Sequence, residues 1–565
     1  MNELRSSNGM ASTGHPLSAQ VGADLLQAGG NAIDAAVGAA LAQVVLDPAN
    51  CGLGGYGGCL MVSEAASGRI AAVDFDGRAP LAAAEDMFEL EPAELRSTVI
   101  SRELGVNVKG DEMTRGPKSI AVPGTLAGLG AVHEEFGSMP WEKLVAPAVV
   151  LARDGFLVSA SLANSISGLA HSGRDFPVTI EMLMPQGRPP KPGDTIRLPG
   201  LAKTLQHIAD EGWRALYEGE MAKRIADYVQ SSGGILAEKD LAEYQARICE
   251  PCTVRYRDHH VSTPPLPNGG TTTLQTLSIL SGFDLTHWER ESPEILHLIA
   301  ETFKLAWRDR AEHFGDPECV DVDVDRLLSP EYAAELQTRL RSEVEPDHGA
   351  PRRPGPATCT TQICAVDSAR NMVSATMSHG MAYGSLVTVP GLGVTLNHGM
   401  CRLDPRPGRP NSIAPGKRLL NNMSPVLVHR DGRPILAAGA PGGRHIMGAV
   451  AQFLINVIDF GMSPSDAFDM PRCFCDDAEP LVLEQRIIRS RRDDQSPFPQ
   501  ERARIGVKID WSDSDALFQG LSAMGHSVEF SGAVGGSVHA IQVSNETEEI
   551  LSGFDPRGLG ATIGY

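Results

Sequence analysis

No stretch of this 565-residue chain is long and apolar enough to span a bilayer, and Met1 to Ser7 has no apolar core of the signal-peptide type. The expectation is a soluble, cytoplasmic protein with no membrane partner. Charged runs are short and read as solvated faces. The net charge of −21 argues against nucleic acid or an anionic surface as partner. No internal repeat is present. Ten cysteines in a chain of this length point to reduced thiols rather than a disulfide framework. No histidine is spaced to complete a zinc set with Cys51 and Cys59 or with Cys473 and Cys475, so neither a metal nor a cofactor is expected. What the chain does have is apolar residues, 42% of the total, enough for a large core. Length alone allows two to four domains, or one large domain with insertions.

The most informative stretch is Thr358 to Ser378. Ile363–Asp367 and Met372–Met377 read as short β-branched strands around the turn Asp367-Ser368-Ala369-Arg370-Asn371. Thr358, Thr360 and Thr361 stand where a Pro/Arg-rich linker, Pro351–Pro356, gives way to the first strand. Taken alone, these are ordinary strand threonines. A threonine exposed at a new N-terminus is different, because its own α-amine, with an ordinary pKa of about 7.7–8.0, can take the hydroxyl proton.

In chain order, Pro16–Ala28 reads as a helix closed by Gly29-Gly30, and Asn31 caps a second helix with apolar residues at helical spacing from Ile33 to Val45. Gly52-Leu53-Gly54-Gly55-Tyr56-Gly57 contains GxGxxG, but a helix precedes it and a strand follows. The dinucleotide fingerprint needs the reverse, so we read a glycine loop packed close to another backbone. Further helices are expected over Trp141–Asp154, Leu201–Asp210, Ala222–Val229, Ile295–His313 and Ile446–Phe460. Strands are expected near Cys59–Val62, Ile70–Phe75, Gly393–Leu396, Val426–Val428, Ile435–Ala438 and Val538–Val543. Helices concentrate early and strands late, which suits a sheet-rich core with helices on both outer faces.

These landmarks, in this order, resemble the γ-glutamyltranspeptidase family of N-terminal nucleophile hydrolases nearly end to end. The residues that carry the likeness are Gly29-Gly30-Asn31-Ala32-Ile33-Asp34, Gly52-Leu53-Gly54-Gly55, Pro123-Gly124-Thr125, Ala152-Arg153-Asp154-Gly155 and Gly315-Asp316-Pro317. They continue through Thr360-Thr361 with Val366-Asp367, Pro415-Gly416-Lys417-Arg418, Met423-Ser424-Pro425 and Pro441-Gly442-Gly443. The resemblance implies an α+β fold, a four-layer αββα sandwich. It also implies a precursor that cuts itself into residues 1–359 and 360–565, a heterodimer of its own two products. The family's ruler from the Val-Asp aspartate selects Thr360 over Thr358 and Thr361. Carried over, Thr360 supplies nucleophile and base, Thr376 and Ser378 place hydroxyls beside it, and Gly442 and Gly443 offer N–H groups to the oxyanion.

The acyl-recognition residues depart from the family pattern. Where the family has arginine after Asp-Phe, this chain has Asp76, with Arg78 two residues on. The family's Asn-Asn-Gln-Met-Asp-Asp appears as Asn397-His398-Gly399-Met400-Cys401-Arg402, and its serine pair as Asn421-Asn422. The stretch from Asp404 to Pro415 is too short for the lid loop of some members. Arg78, Gly399, Arg402, Asn421 and Asn422 are then expected to shape the substrate site, and an arginine at the ammonium position favours an anion over a free amino acid. The expected activity is cleavage of a γ-glutamyl-like or other carboxylated acyl amide through a threonyl ester. A glutaryl-, cephalosporin- or oxamate-type amidohydrolase remains open, as does an unprocessed relative that only binds a ligand.

Overall fold

The computed structural model describes residues 3–95, 98–342, 359–484, 486–487, 507–508, 514–531, 534–544, 546–558 and 560–565. Thr358 and the Pro351–Pro356 linker lie outside them. The strands that build the core are β1 Leu4–Ser6, β2 Met10–Thr13, β3 Gly57–Ser63, β4 Ile70–Asp74, β5 Arg247–Cys249, β6 Cys252–Tyr256 and β7 His259–Thr263. After these come β8 Cys359–Val366, β9 Met372–Gly380, β10 Val426–Arg430, β11 Arg433–Gly439, β12 His539–Val543, β13 Ile550–Ser552 and β14 Ala561–Gly564. They form two seven-stranded sheets, ordered β1-β13-β12-β11-β10-β7-β6 and β14-β2-β8-β9-β3-β4-β5.

The layers follow from side-chain alternation. In β8 the odd residues Ile363 and Ala365 join a helical core with Leu41, Val44 and Leu60. The even residues Cys364 and Val366 pack with Met10, Met61, Leu427, Ala437 and Ile541 between the sheets. Helices α1 Pro16–Gln27, α2 Ala32–Leu46, α3 Thr125–Phe136, α4 Trp141–Asp154 and α5 Pro199–Glu211 cover the outer face of the β8 sheet. Helices α6 Gly270–Leu280, α7 Pro293–His313 and α9 His445–Ile458 cover the other sheet, with α8 Pro330–Ser342 against α6. The architecture is helix, sheet, sheet, helix: the αββα sandwich.

Two early motifs exist to fix this frame. Asn31 caps α2 through Ile33 N and Asp34 N, while Asp34 returns to Asn31 N and accepts from Ser138 and Met139. The α2 N-terminus also donates Ala32 N–H to Asp367, whose carboxylate holds Asn371 across the β8–β9 turn at 3.0 and 2.8 Å. One aspartate therefore sets the hairpin's turn against the buried helix behind it. The glycine loop does have α2 before it and β3 after it. A Cβ on Gly54 would stand 2.4 Å from Thr395 O, so only glycine lets these backbones meet.

The expected strand around Gly393–Leu396 shrinks to Val394–Thr395, paired with Thr388–Val389 away from both sheets. Cys249 and Cys252, a CxxC pair, end β5 and begin β6 in different sheets, both as free thiols.

Candidate active site

Thr360 is the second residue of β8, at the end of the strand that the inter-sheet layer leaves polar. Being even-numbered it points between the sheets, and it is 7% exposed. Thr361 points the opposite way, toward the helical layer and Gln43, 3.1 Å from the Cβ position of Gly14. The β8–β9 register slips between Cys359, opposite Gly380, and Thr360, opposite Ser378. The extra residue is His379 on β9, so the bulge lies opposite the Cys359–Thr360 peptide.

The bulge brings three hydroxyl and carbonyl groups into a chain. Thr360 Oγ1 donates to Ser378 Oγ at 3.2 Å, and Ser378 Oγ donates to Cys359 O at 2.5 Å. Gly380 N–H donates to the same serine at 2.7 Å, holding it in place. Thr376 is one row deeper and bonds Gln362 Oε1 at 2.5 Å, not Thr360. Gln362 in turn donates to Ser374 at 2.9 Å. The Tyr56 hydroxyl, from the glycine loop, lies near Ser378.

Thr360 opens onto a cavity of about 650 Å³, lined also by Gln362, Gly442, His445 and Ser537. Gly442 and Gly443 precede α9 with φ of 136° and 60°, a left-handed backbone that glycine adopts without strain. A Cβ on Gly442 would stand 2.8 Å from Gly536 Cα. The start of α9 points the positive end of the helix dipole at this corner. Burial, then the neighbouring Arg444 charge, pushes His445 down to about 4, so it is neutral near pH 7. Its ring lies tilted against that of Phe474, centroids 4.1 Å apart.

The residues expected to read the acyl group separate into two places. Arg402, Asn421, Asn422 and Gly399 gather behind Tyr56. Arg402 is buried and pairs with Glu103 at 3.4 Å, so it neither faces solvent nor pairs with Asp404, which holds Arg406 at 2.6 Å. Asn422 Oδ1 accepts from Arg310 at 2.9 Å, and Asn421 donates to Asp76 and to Asn268 at 2.8 Å. Burial, then the Asp74 charge, pushes the Asp76 carboxyl well above the carboxylate range. Gly399 N–H donates to Asn397 at 2.8 Å, and a Cβ there would press Ala121 at 2.6 Å. Arg78 is elsewhere, 3.7 Å from Glu318 and beside the buried Asp74–Arg418 pair.

Sequence reasoning missed Tyr56, Gln362, Glu103, Arg310 and His445. Only Gln362 had a local signal, since it lies two residues from Thr360 on the same strand face.

An αββα sandwich with a threonine-lined cavity at one strand end has the architecture of the N-terminal nucleophile hydrolases. The γ-glutamyltranspeptidase family model matches residues 18–565, and the chain belongs to that family. It is 34% identical to an acylase ACY 1 proenzyme of Pseudomonas sp. (strain SE83), over 95% of this chain and 90% of that one. It is 33% identical to a glutathione hydrolase proenzyme of Bacillus subtilis (strain 168), over 99% and 91%. Cephalosporin acylase from Bacillus halodurans superposes with TM-score 0.83 at 28% identity, covering 100% of this chain and 97% of that one. The protein is therefore an enzyme, a self-processing amidohydrolase or acyltransferase.

Proposed function

We propose that the chain cuts itself between Cys359 and Thr360, and that the freed threonine cleaves amides whose acyl part carries an anion without a neighbouring ammonium. The Thr360–Ser378–Cys359 chain supports the first half. Thr360 Oγ attacks the Cys359 carbonyl carbon while Ser378, already bonded to that oxygen, stabilises the charge it acquires. The C–N bond breaks, the nitrogen takes the hydroxyl proton, and Cys359 is left as an ester on Thr360. Water hydrolyses that ester, leaving a Cys359 carboxylate and a free Thr360 amine. In the second reaction the amine takes the Oγ proton as Oγ attacks the substrate carbonyl, then passes it to the departing amine. The N–H groups at Gly442 and Gly443 receive the oxyanion, and water or an amine clears the threonyl ester.

The observation that carries the specificity is the buried Arg402 behind Tyr56. Its neighbours strengthen the case: burial first, then the Arg444 and Arg402 charges, push Arg310 down to about 9. Glu103 and Asp476 already face this cluster, and we take its remaining guanidinium donors to favour an added anion over an ammonium. Asp76, the nearest candidate for holding an ammonium, is pushed toward its neutral form by burial and then by the Asp74 charge, which weakens it in that role.

Sequencing the smaller band of a denaturing gel is expected to begin at Thr360, and any other start removes the assignment. Matched glutaryl and γ-glutamyl anilides differ only by the α-amine. The glutaryl compound is expected to have the higher kcat/KM, and the reverse order would sink the anion reading.

A further inference from the structure

Helix α7 places His297 and Glu301 one turn apart, on one face. His526, in the turn after α10 (Ser514–Ala523), reaches them from the far end of the sequence. His297 Nδ1 and His526 Nε2 face each other at 2.9 Å, and a Glu301 oxygen lies 3.8 Å from the same Nε2. All three potential ligand atoms fall within 4.8 Å of one another.

The surroundings point the same way. His526 Nδ1 bonds Glu479 Oε1 at 2.9 Å, and a carboxylate can only accept, so the ring proton sits on Nδ1. The Nε2 lone pair is thereby aimed at His297 and Glu301. A carboxylate that orients a histidine from behind is the usual support of a metal-bound imidazole. Lys304 bonds Glu301 at 2.8 Å and Glu479 at 2.7 Å, so both carboxylates are held rather than swinging. His526 is buried, while His297 is half-buried and leaves a side open.

We propose that His297, Glu301 and His526 form a site for a divalent ion of zinc type, with Glu479 positioning His526 and a fourth place left to water. Bond lengths of about 2.0–2.1 Å in a tetrahedron set the two nitrogens about 3.3 Å apart, so the pair need open by only a few tenths of an ångström. Two imidazoles and one carboxylate suit zinc, cobalt or nickel. Calcium and magnesium take oxygen sets instead. The site is separate from the Thr360 cavity. His297 and Glu301 precede Thr360 and His526 follows it, so after the cut proposed above the ion would pin one product to the other. Binding itself does not depend on the cut.

The test uses full-length protein, stripped with a chelator and titrated with Zn²⁺ against a chromogenic competitor. One tight equivalent is expected, unaffected by excess Mg²⁺ or Ca²⁺, and Co²⁺ should give the visible bands of a four-coordinate ion. His297→Gln, at a half-buried position that tolerates an amide, should weaken zinc at least about 100-fold. Glu479→Gln should weaken it about 10- to 100-fold. If wild type binds zinc no more tightly than His297→Gln, or retains full affinity in His526→Gln, the cluster is a hydrogen-bonded histidine pair and the proposal fails.

Discussion

Thr360 and Thr361 are adjacent hydroxyls with opposite fates, because strand alternation sends one between the sheets and the other into the helical layer. Thr360→Ala is expected to abolish self-cleavage and activity, and Thr360→Ser to keep part of both. Thr361→Ala should still process, with the cut at residue 360. A processed Thr360→Ala band on a denaturing gel would overturn the assignment. Ser378→Ala removes the hydroxyl that bonds the Cys359 carbonyl. Losing one donor of this kind costs about 10²- to 10³-fold, so maturation of that variant should stretch correspondingly when followed by gel over time. The loss should appear in the rate of cutting, not in its position.

At the scale of elements, the β8–β9 hairpin matters because Asp367 fastens its turn to α2. Asp367→Asn exchanges a charged acceptor of three N–H groups for an amide that accepts fewer. Hydrogen bonds to charged groups contribute about 1.5–3 kcal/mol each, so a clear drop in thermal midpoint is expected, with slower processing as the bulge loses its register. Unchanged melting with slow processing would mean that Asp367 acts on the site rather than on the frame.

The hairpin and the long helices were legible in sequence because their signals are local: β-branched runs beside Asp367-Ser368-Ala369-Arg370-Asn371, the Asn31 cap and the spacing in α2 and α9. The short strands toward the sheet margins were not. Met10-Ala11-Ser12-Thr13 and Ala561-Thr562-Ile563-Gly564 pair as β2 and β14, over 500 residues apart, and nothing in either says so. The β6–β7 hairpin also escaped notice, because its two-residue turn, Arg257-Asp258, lacks the usual glycine. Thr360 stands out as the candidate nucleophile only through the family's order of motifs. Arg310 falls in the expected helix Ile295–His313 and Glu103 in no expected element, and neither shows its burial locally, since burial is decided by partners far along the chain.

Over the whole molecule, buried neutral histidines set the acid limit. Burial holds His379 near 3, and His398, His445 and His539 near 4, all below the ordinary 6.5. As pH falls below about 6.5 the unfolded chain takes these protons first. Each histidine then removes up to about 1.4 kcal/mol per pH unit until its folded pKa is reached. Asp76, Asp47 and Glu291, whose folded carboxyls burial shifts upward, act with the opposite sign but are fewer than the buried histidines. The uncut Thr360→Ala protein should therefore melt at progressively lower temperature from pH 7 to pH 5. A flat profile would contradict the histidine account.

Both sheets draw strands from either side of Thr360. In one the order runs β14, β2, β8-β9, then β3-β4-β5, so late and early strands alternate through its middle. Before the cut, unfolding is a one-chain event, and the ends of β2 and β8 find each other at the high local concentration of a tether. After it, refolding requires two separate chains to interleave strand by strand, each alone exposing unpaired edges that invite aggregation. The mature enzyme should thus lose activity on heating in one direction only, with a half-life set by its unfolding barrier, while the uncut Thr360→Ala chain recovers its fold on cooling. Maturation exchanges reversibility for catalysis, and the persistence of the working enzyme becomes a matter of rate rather than equilibrium.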